Sequence, residues 1–181
     1  SNVSLASVRA GNVIGGGDWA KDRIIPDILK AFDNKEPVII RNPNAVRPWQ
    51  HVLEPISGYL TVAEKLYTFG DKYAQGWNFG PKDKDARPVR ELLDYLVSHW
   101  KEESSWIQDS KENPHEAMLL KLNITKATEE LNWEPFWDLE KTLQTIIDWH
   151  NAWLEGKDMS KTTLNQIEDY EQNIRKKYEQ R

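Results

Sequence analysis

Val3-Ser4-Leu5-Ala6-Ser7-Val8-Arg9 reads as a β-strand, and it runs directly into Ala10-Gly11-Asn12-Val13-Ile14-Gly15-Gly16-Gly17-Asp18-Trp19. A parallel strand needs a neighbour and a crossover helix, and neither precedes residue 3. Either an N-terminal partner is absent or Val3 to Arg9 is a true edge strand. A strand that enters glycines brings bare backbone N–H groups close to a phosphate or a sugar. Three consecutive glycines also serve a plain tight turn. The run is neither the dinucleotide fingerprint nor a P-loop, because no Lys-Ser/Thr follows it.

Outward from this stretch the elements alternate, which predicts an α/β fold with a small mixed sheet and several helices. Apolar spacing predicts a helix near Ile24 to Phe32, then a short strand over Val38 to Arg41. Asn42 to Pro48, with two prolines and two asparagines, reads as a turn region, and Trp49 to Val52 as extended. A helix from Glu54 to about Tyr67 carries Ile56, Leu60, Ala63 and Leu66 or Tyr67 as its expected inner face. A brief strand follows at Gly76 to Pro81, a helix at Val89 to Trp100, and strands at Ser105 to Gln108 and Ala117 to Leu122. Asn123 caps a helix over Ile124 to Leu131, and Asp138 opens a long helix over Leu139 to Leu154. Residues 1–160 form one binding domain, and 161–181 form a polar helical tail with a thin apolar stripe of Leu164, Ile167, Tyr170, Ile174 and Tyr178. A terminal helix lying on its own domain is the plainer reading of that stripe; docking on another chain is the alternative.

The 181 residues are 39% apolar and 29% charged, with a net charge of -5, no cysteine and nine tryptophans. That composition fits a globular protein with one core and gives no general attraction to nucleic acid or acidic membranes. It excludes disulfides and thiolate zinc sites. Without a signal peptide or a membrane-length apolar run in the sequence, the cytoplasm is the expected compartment. The indoles point first to packing and second to ligand stacking.

Asn12 offers donors and acceptors to a ligand, or equally satisfies the turn backbone. Arg47 precedes Pro48 on a stiff extended segment, which suits a guanidinium meeting two phosphate oxygens; a surface salt bridge explains it equally well. The four histidines show no metal-ligand spacing, and no motif supplies a nucleophile or general base. The residues alone thus predict a ligand-binding α/β domain with a polar, glycine-lined mouth, no catalytic residue and no metal.

Taken in order, five motifs over residues 9–135 resemble the second half of the extended short-chain dehydrogenase/reductase family, the NAD-binding Rossmann enzymes that act on nucleotide sugars. They are Arg9-Ala10-Gly11-Asn12-Val13-Ile14-Gly15, the 15–27 segment ending Asp22-Arg23-Ile24-Ile25-Pro26-Asp27, Arg47 to Pro55, Trp77-Asn78-Phe79-Gly80-Pro81, and Leu131-Asn132-Trp133-Glu134-Pro135. Ile14 and Gly16 depart from the family's usual Tyr and Pro, and those departures are similar to the 4,6-dehydratases of cytidine-linked sugars.

The resemblance implies a C-terminal, substrate-binding part whose N-terminal NAD-binding domain is absent. It implies Asn12 and Arg47 on a diphosphate, Asp22, Arg23 and Ile24 around base and ribose, Asn78 nearby, and His115 where relatives place an arginine. Ala10, Gly11, Asn12 and Val13 would border the nicotinamide of NAD. In the intact enzyme a hydride would leave sugar C4, water would be lost across C5 and C6, and the hydride would return to C6, on a route to sugars of bacterial surface polysaccharide. A homo-oligomer is compatible with this. The rival readings are an epimerase or reductase of the same superfamily and a binding module without catalysis.

Overall fold

The structure, a computed structural model, describes residues 3–110 and 117–179. The opening stretch forms two short strands, β1 (Ser7–Ala10) and β2 (Asn12–Ile14), which belong to different sheets. Gly11 is the corner between them. A Cβ built there would lie 2.5 Å from the Pro48 carbonyl oxygen, so the corner tolerates only glycine without moving β4 (Val46–His51). β1 pairs in parallel with β5 (Gly76–Phe79), and β2 in parallel with β4. The Phe79 carbonyl joins the two sheets, accepting from the Gly11 amide at 3.1 Å and from Gln50 Nε2 at 2.8 Å.

β4 also pairs antiparallel with β6 (Ala86–Pro88), and β3 (Val38–Ile40) pairs in parallel with β7 (Trp106–Gln108). The architecture is mixed α/β, with three small sheets in place of one. Three strand expectations need correction, the first being Val3 to Arg9, of which only residues 7–9 lie in β1. Residues 46–48 already belong to β4 and not to the turn region. The stretch 117–122 makes only an isolated bridge from Leu119 to Val46. β6 has no sequence signal, since Ala-Arg-Pro lacks the β-branched or aromatic residues that mark a strand.

Helix α1 (Ile24–Asp33) buries Ile25, Ile28, Leu29 and Phe32 at helical spacing against the sheets. With α3 (Val89–His99) and α5 (Leu139–Leu154) it encloses the larger core, to which Ile14, Trp49, Leu92, Leu96, Leu143 and Ile146 contribute. A second core joins α2 (Leu53–Phe69), β5 and α4 (Thr125–Leu131) through Val62, Trp77, Phe79, Leu131 and Trp133. Asp138 caps α5 as the sequence predicts, its Oδ1 accepting from Lys141 N at 2.9 Å; at α4 the N-cap is Ile124, one residue later than expected, and Asn123 Oδ1 accepts from Thr125 N at 2.9 Å from just outside the helix.

Helix α2 reverses the expected orientation. Its buried residues are Glu54, Pro55, Gly58 and Val62, and only Leu66 of the expected inner face packs inward. Ile56, Leu60 (66% exposed), Ala63 and Tyr67 (94% exposed) face outward. The C-terminal helix α6 (Met159–Glu179) lies on its own domain, as the plainer reading of the tail holds. Tyr170 is buried, Gln166 Nε2 donates to the Thr145 carbonyl at 2.9 Å, and Lys141 pairs with Asp169 at 2.9 Å. The side chain of Tyr178 lies outside the described residues. Among the described residues no helix is long and apolar enough to cross a membrane.

Candidate functional site

A cleft of about 860 Å³ opens between the β2/β4 pair, the N-terminus of α1 and the end of β3. That volume matches small-ligand sites in general. The alternation of β4 decides what faces it. Arg47 and Trp49 line the cleft, whereas Gln50 bonds Phe79 and Pro48 backs onto Gly11. Arg47 is only 8% exposed, and its Nη1 donates to the Val46 carbonyl at 2.9 Å. Trp49 is held by its indole N–H on the Arg87 carbonyl at 3.0 Å, so this wall is rigid.

The opposite wall is the loop from β2 into α1. Asp22 has φ 61, a left-handed backbone that aspartate tolerates better than most residues. Arg23 occupies the N-cap position in an extended conformation, and Arg23, Ile24, Ile25, Pro26 and Asp27 all face the cleft. The free first-turn amides of α1 give that end partial positive charge. Arg23, Arg41 and Arg47 supply three guanidinium groups, and Asp18, Asp22 and Asp27 supply three carboxylates. Asp27 has its pKa raised, first by burial and then by the neighbouring charge of Asp22, with Lys30 opposing. Guanidinium groups suit phosphate oxygens, and the carboxylates suit hydroxyl or amino donors of the same ligand.

Of the residues singled out from sequence, Gly11, Asn12, Val13, Asp22, Arg23, Ile24 and Arg47 come together around this cleft. Ala10 and Asn78 do not line it. Ala10 sits in the β1/β5 ladder opposite Phe79. Asn78 is opposite Arg9 in the same ladder, and its Nδ2 donates to the Asn123 carbonyl at 3.2 Å, which braces the entry to α4. His115 lies outside the described residues. Arg41 and Asn42 join the wall with no motif of their own to announce them, and Trp49 joins it too, from within the Arg47 to Pro55 motif, which does not single it out. Arg41 and Asn42 follow the carboxyl end of β3, where ligands commonly bind in α/β sheets, and that placement was the available signal.

The glycine run serves packing more than anion binding. A Cβ on Gly16 would enter the ring of Trp149 on α5, and Gly17, at φ 77, also lies against that ring. Trp149 in turn donates to Thr163 Oγ1 at 3.0 Å. His51, which follows Gln50, is buried with its ring edge-on to Trp137 at 4.8 Å, and its Nδ1 accepts from Leu53 N at 3.3 Å. Its pKa falls to about 4, first because burial disfavours the charged ring and second because Lys141 is nearby. His51 is therefore a neutral structural group that does not line the cleft.

No protein-family model matches the chain. Over 168 residues it is 56% identical to the CDP-glucose 4,6-dehydratase of Salmonella typhimurium, an alignment that covers 93% of this chain and 47% of that protein. Among solved structures, a UDP-glucose-4-epimerase from Stenotrophomonas maltophila superposes with a TM-score of 0.71 at 15% identity, covering 86% of this chain and 50% of that one. MoeE5 gives a TM-score of 0.70 at 20% identity (82% and 47%), and a dTDP-glucose 4,6-dehydratase from Bacillus anthracis 0.58 at 17% (81% and 44%). At those identities the structures establish the fold alone. The chain spans about half the length of the proteins it matches, and in sequence it is a homologue, through nearly all its residues, of that half of a CDP-glucose 4,6-dehydratase.

Proposed function

We propose that this chain is the nucleotide-sugar-binding part of a CDP-glucose 4,6-dehydratase, a hydro-lyase that works with NAD. The observation that carries the proposal is the 860 Å³ cleft with Arg23, Arg41 and Arg47 on its walls, in a chain 56% identical to such an enzyme. Arg47, buried and held on a stiff strand, is suited to the diphosphate, together with Asn12 across the β2/β4 pair. Asp22, Arg23 and Ile24, on the opposite wall, would meet the base and ribose. Asn78 supports the scaffold, since it does not line the cleft.

NAD, when bound, would accept and return a hydride. Gly11, Asn12 and Val13 face the cleft and fit one edge of such a group, but α1 is entered through Asp22 and Arg23, not through glycines that would admit a pyrophosphate. Most of the cofactor's binding surface would therefore come from another α/β unit. The outward face of α2 and the free edge of β1 support this. β1 is paired only with β5 among the described residues, and Val8, Ile56, Leu60 and Tyr67 are exposed. A paired strand edge and a covered apolar stripe are what a cofactor-binding half would supply.

The test is calorimetric titration of the chain with CDP, UDP and dTDP. CDP should bind most tightly, and Arg47→Ala should weaken it by at least about tenfold, the effect of losing a charge-assisted pair. Equal or absent binding of all three by folded protein overturns the assignment. A second expectation concerns chemistry. The chain alone should form no 4-keto sugar from CDP-glucose and NAD, because most of the cofactor's binding surface would come from another unit and the cleft residues would serve binding and orientation. Product above a buffer control would refute that division of labour.

A further inference from the structure

The loop between β2 and α1 carries Asp18, Asp22 and Arg23 into the cleft, yet little within the loop fixes its shape. Ala20 N donates to Asp18 Oδ1 at 3.0 Å, and Asp18 and Arg23 approach to 3.9 Å at an exposed position where an ion pair contributes little. Asp22 holds a left-handed conformation that costs energy unless its surroundings impose it. The loop's aromatic contact with α5 comes from Trp19, which does not line the cleft. Its ring rests on α5, 4.7 Å from Trp153, 6.2 Å from Trp149 and 6.1 Å from His150 between centroids. It remains 55% exposed, so its attachment is a clip on the outside of the core and not part of the core itself. Beneath it, Gly16 lies too close to the Trp149 ring for any side chain, and Gly17, at φ 77, lies beside the same ring.

We propose that Trp19 is a positioning residue: by clipping the 18–23 loop to Trp149 and Trp153 on α5, it holds Asp18, Asp22 and Arg23 in the arrangement that binds the nucleotide. This rests on the assignment of the cleft to a nucleotide. Asp18, Asp22 and Arg23 face the cleft and Trp19 faces α5, so ligand affinity is tied to an aromatic contact that no ligand touches. Trp153, on α5 and outside the cleft, belongs to the same device.

Amide hydrogen exchange and CDP titration of the 181-residue chain, with Trp19→Ala, Trp19→Phe and Trp153→Ala, test it. Trp19→Ala should speed exchange over residues 17–23 by about tenfold while protection in β4 and α5 is kept, and should weaken CDP by about tenfold. Trp19→Phe, which keeps a ring on Trp153, should restore affinity to within about twofold, and Trp153→Ala should reproduce the loss from a distance. Unchanged exchange in Trp19→Ala overturns the proposal. So does faster exchange with wild-type affinity, which would make the clip a matter of local order only. If the wild-type chain binds none of the nucleotides, the nucleotide assignment fails separately, and the exchange result still decides whether Trp19 holds the loop.

Discussion

Replacing Glu54 with alanine is expected to lower the unfolding free energy by about 4 kcal/mol, from the orphaning of buried donors at about 1–3 kcal/mol each. Glu54 is at 0% exposure on the inner face of α2. One carboxyl oxygen accepts from Trp137 N at 2.7 Å, and the other from Phe136 N at 2.9 Å and from Tyr170 OH at 2.8 Å. Those donors come from the segment before α5 and from α6, so one side chain ties three elements together. Around it Trp133 Nε1 donates to Ser57 Oγ at 2.9 Å, and Ser57 lies 3.2 Å from the Tyr170 hydroxyl. Alanine removes both carboxyl oxygens at once from two backbone amides and the Tyr170 hydroxyl. Glu54→Gln keeps one acceptor and should cost roughly half as much, and Tyr170→Phe about 1 kcal/mol. Urea unfolding of the three variants checks the order. A Glu54→Ala midpoint within error of wild type would show that the network is redundant.

Glu54 also shows where sequence reading stops. Periodicity identifies the apolar stripe of a helix but not which side the protein covers, and in α2 the stripe of Ile56, Leu60, Ala63 and Tyr67 faces out while a carboxylate faces in. The stripe is exposed, and the carboxylate is buried for partners more than 80 residues along the chain. Neither fact is local. Helices α1 and α5 were legible because their stripes meet the chain's own core and, for α5, because Asp138 caps it in place. At the site, Asn12 and Arg47 stood out by residue type and neighbours, a polar amide at a strand end and an arginine stiffened by Pro48. Arg41 and Asn42 stood out by neither, since only the pairing of β3 with β7 makes their position the mouth of a cleft. The glycines read as either a tight turn or a phosphate cradle and proved to be a seat for Trp149, a contact 133 positions away from Gly16 that no sequence window contains.

Acid should weaken the protein through His51. Its folded pKa is about 4, against about 6.5 for an unfolded histidine. Between those values the unfolded chain takes up a proton that the native ring refuses. The stabilisation is therefore complete above about pH 6.5 and is lost as pH falls toward 4, with a full range of about 3 kcal/mol at 1.36 kcal/mol per unit. The cause is geometric. Nδ1 accepts from Leu53 N, which leaves Nε2 to carry the proton of the neutral ring, and Nε2 has no hydrogen-bond partner among the described residues. A second proton would place a cation in an apolar setting beside Trp137 and near Lys141, with no acceptor to compensate. Because His51 ends the strand that presents Arg47 and Trp49, acid strain falls on the cleft wall as well, and CDP affinity should decline over the same window. Urea midpoints at pH 7, 6, 5 and 4.5 for wild type and His51→Gln separate this group from the carboxylates. The variant should be less stable at pH 7 and nearly level across the window, and equal slopes for the two proteins would move the origin of any acid sensitivity elsewhere.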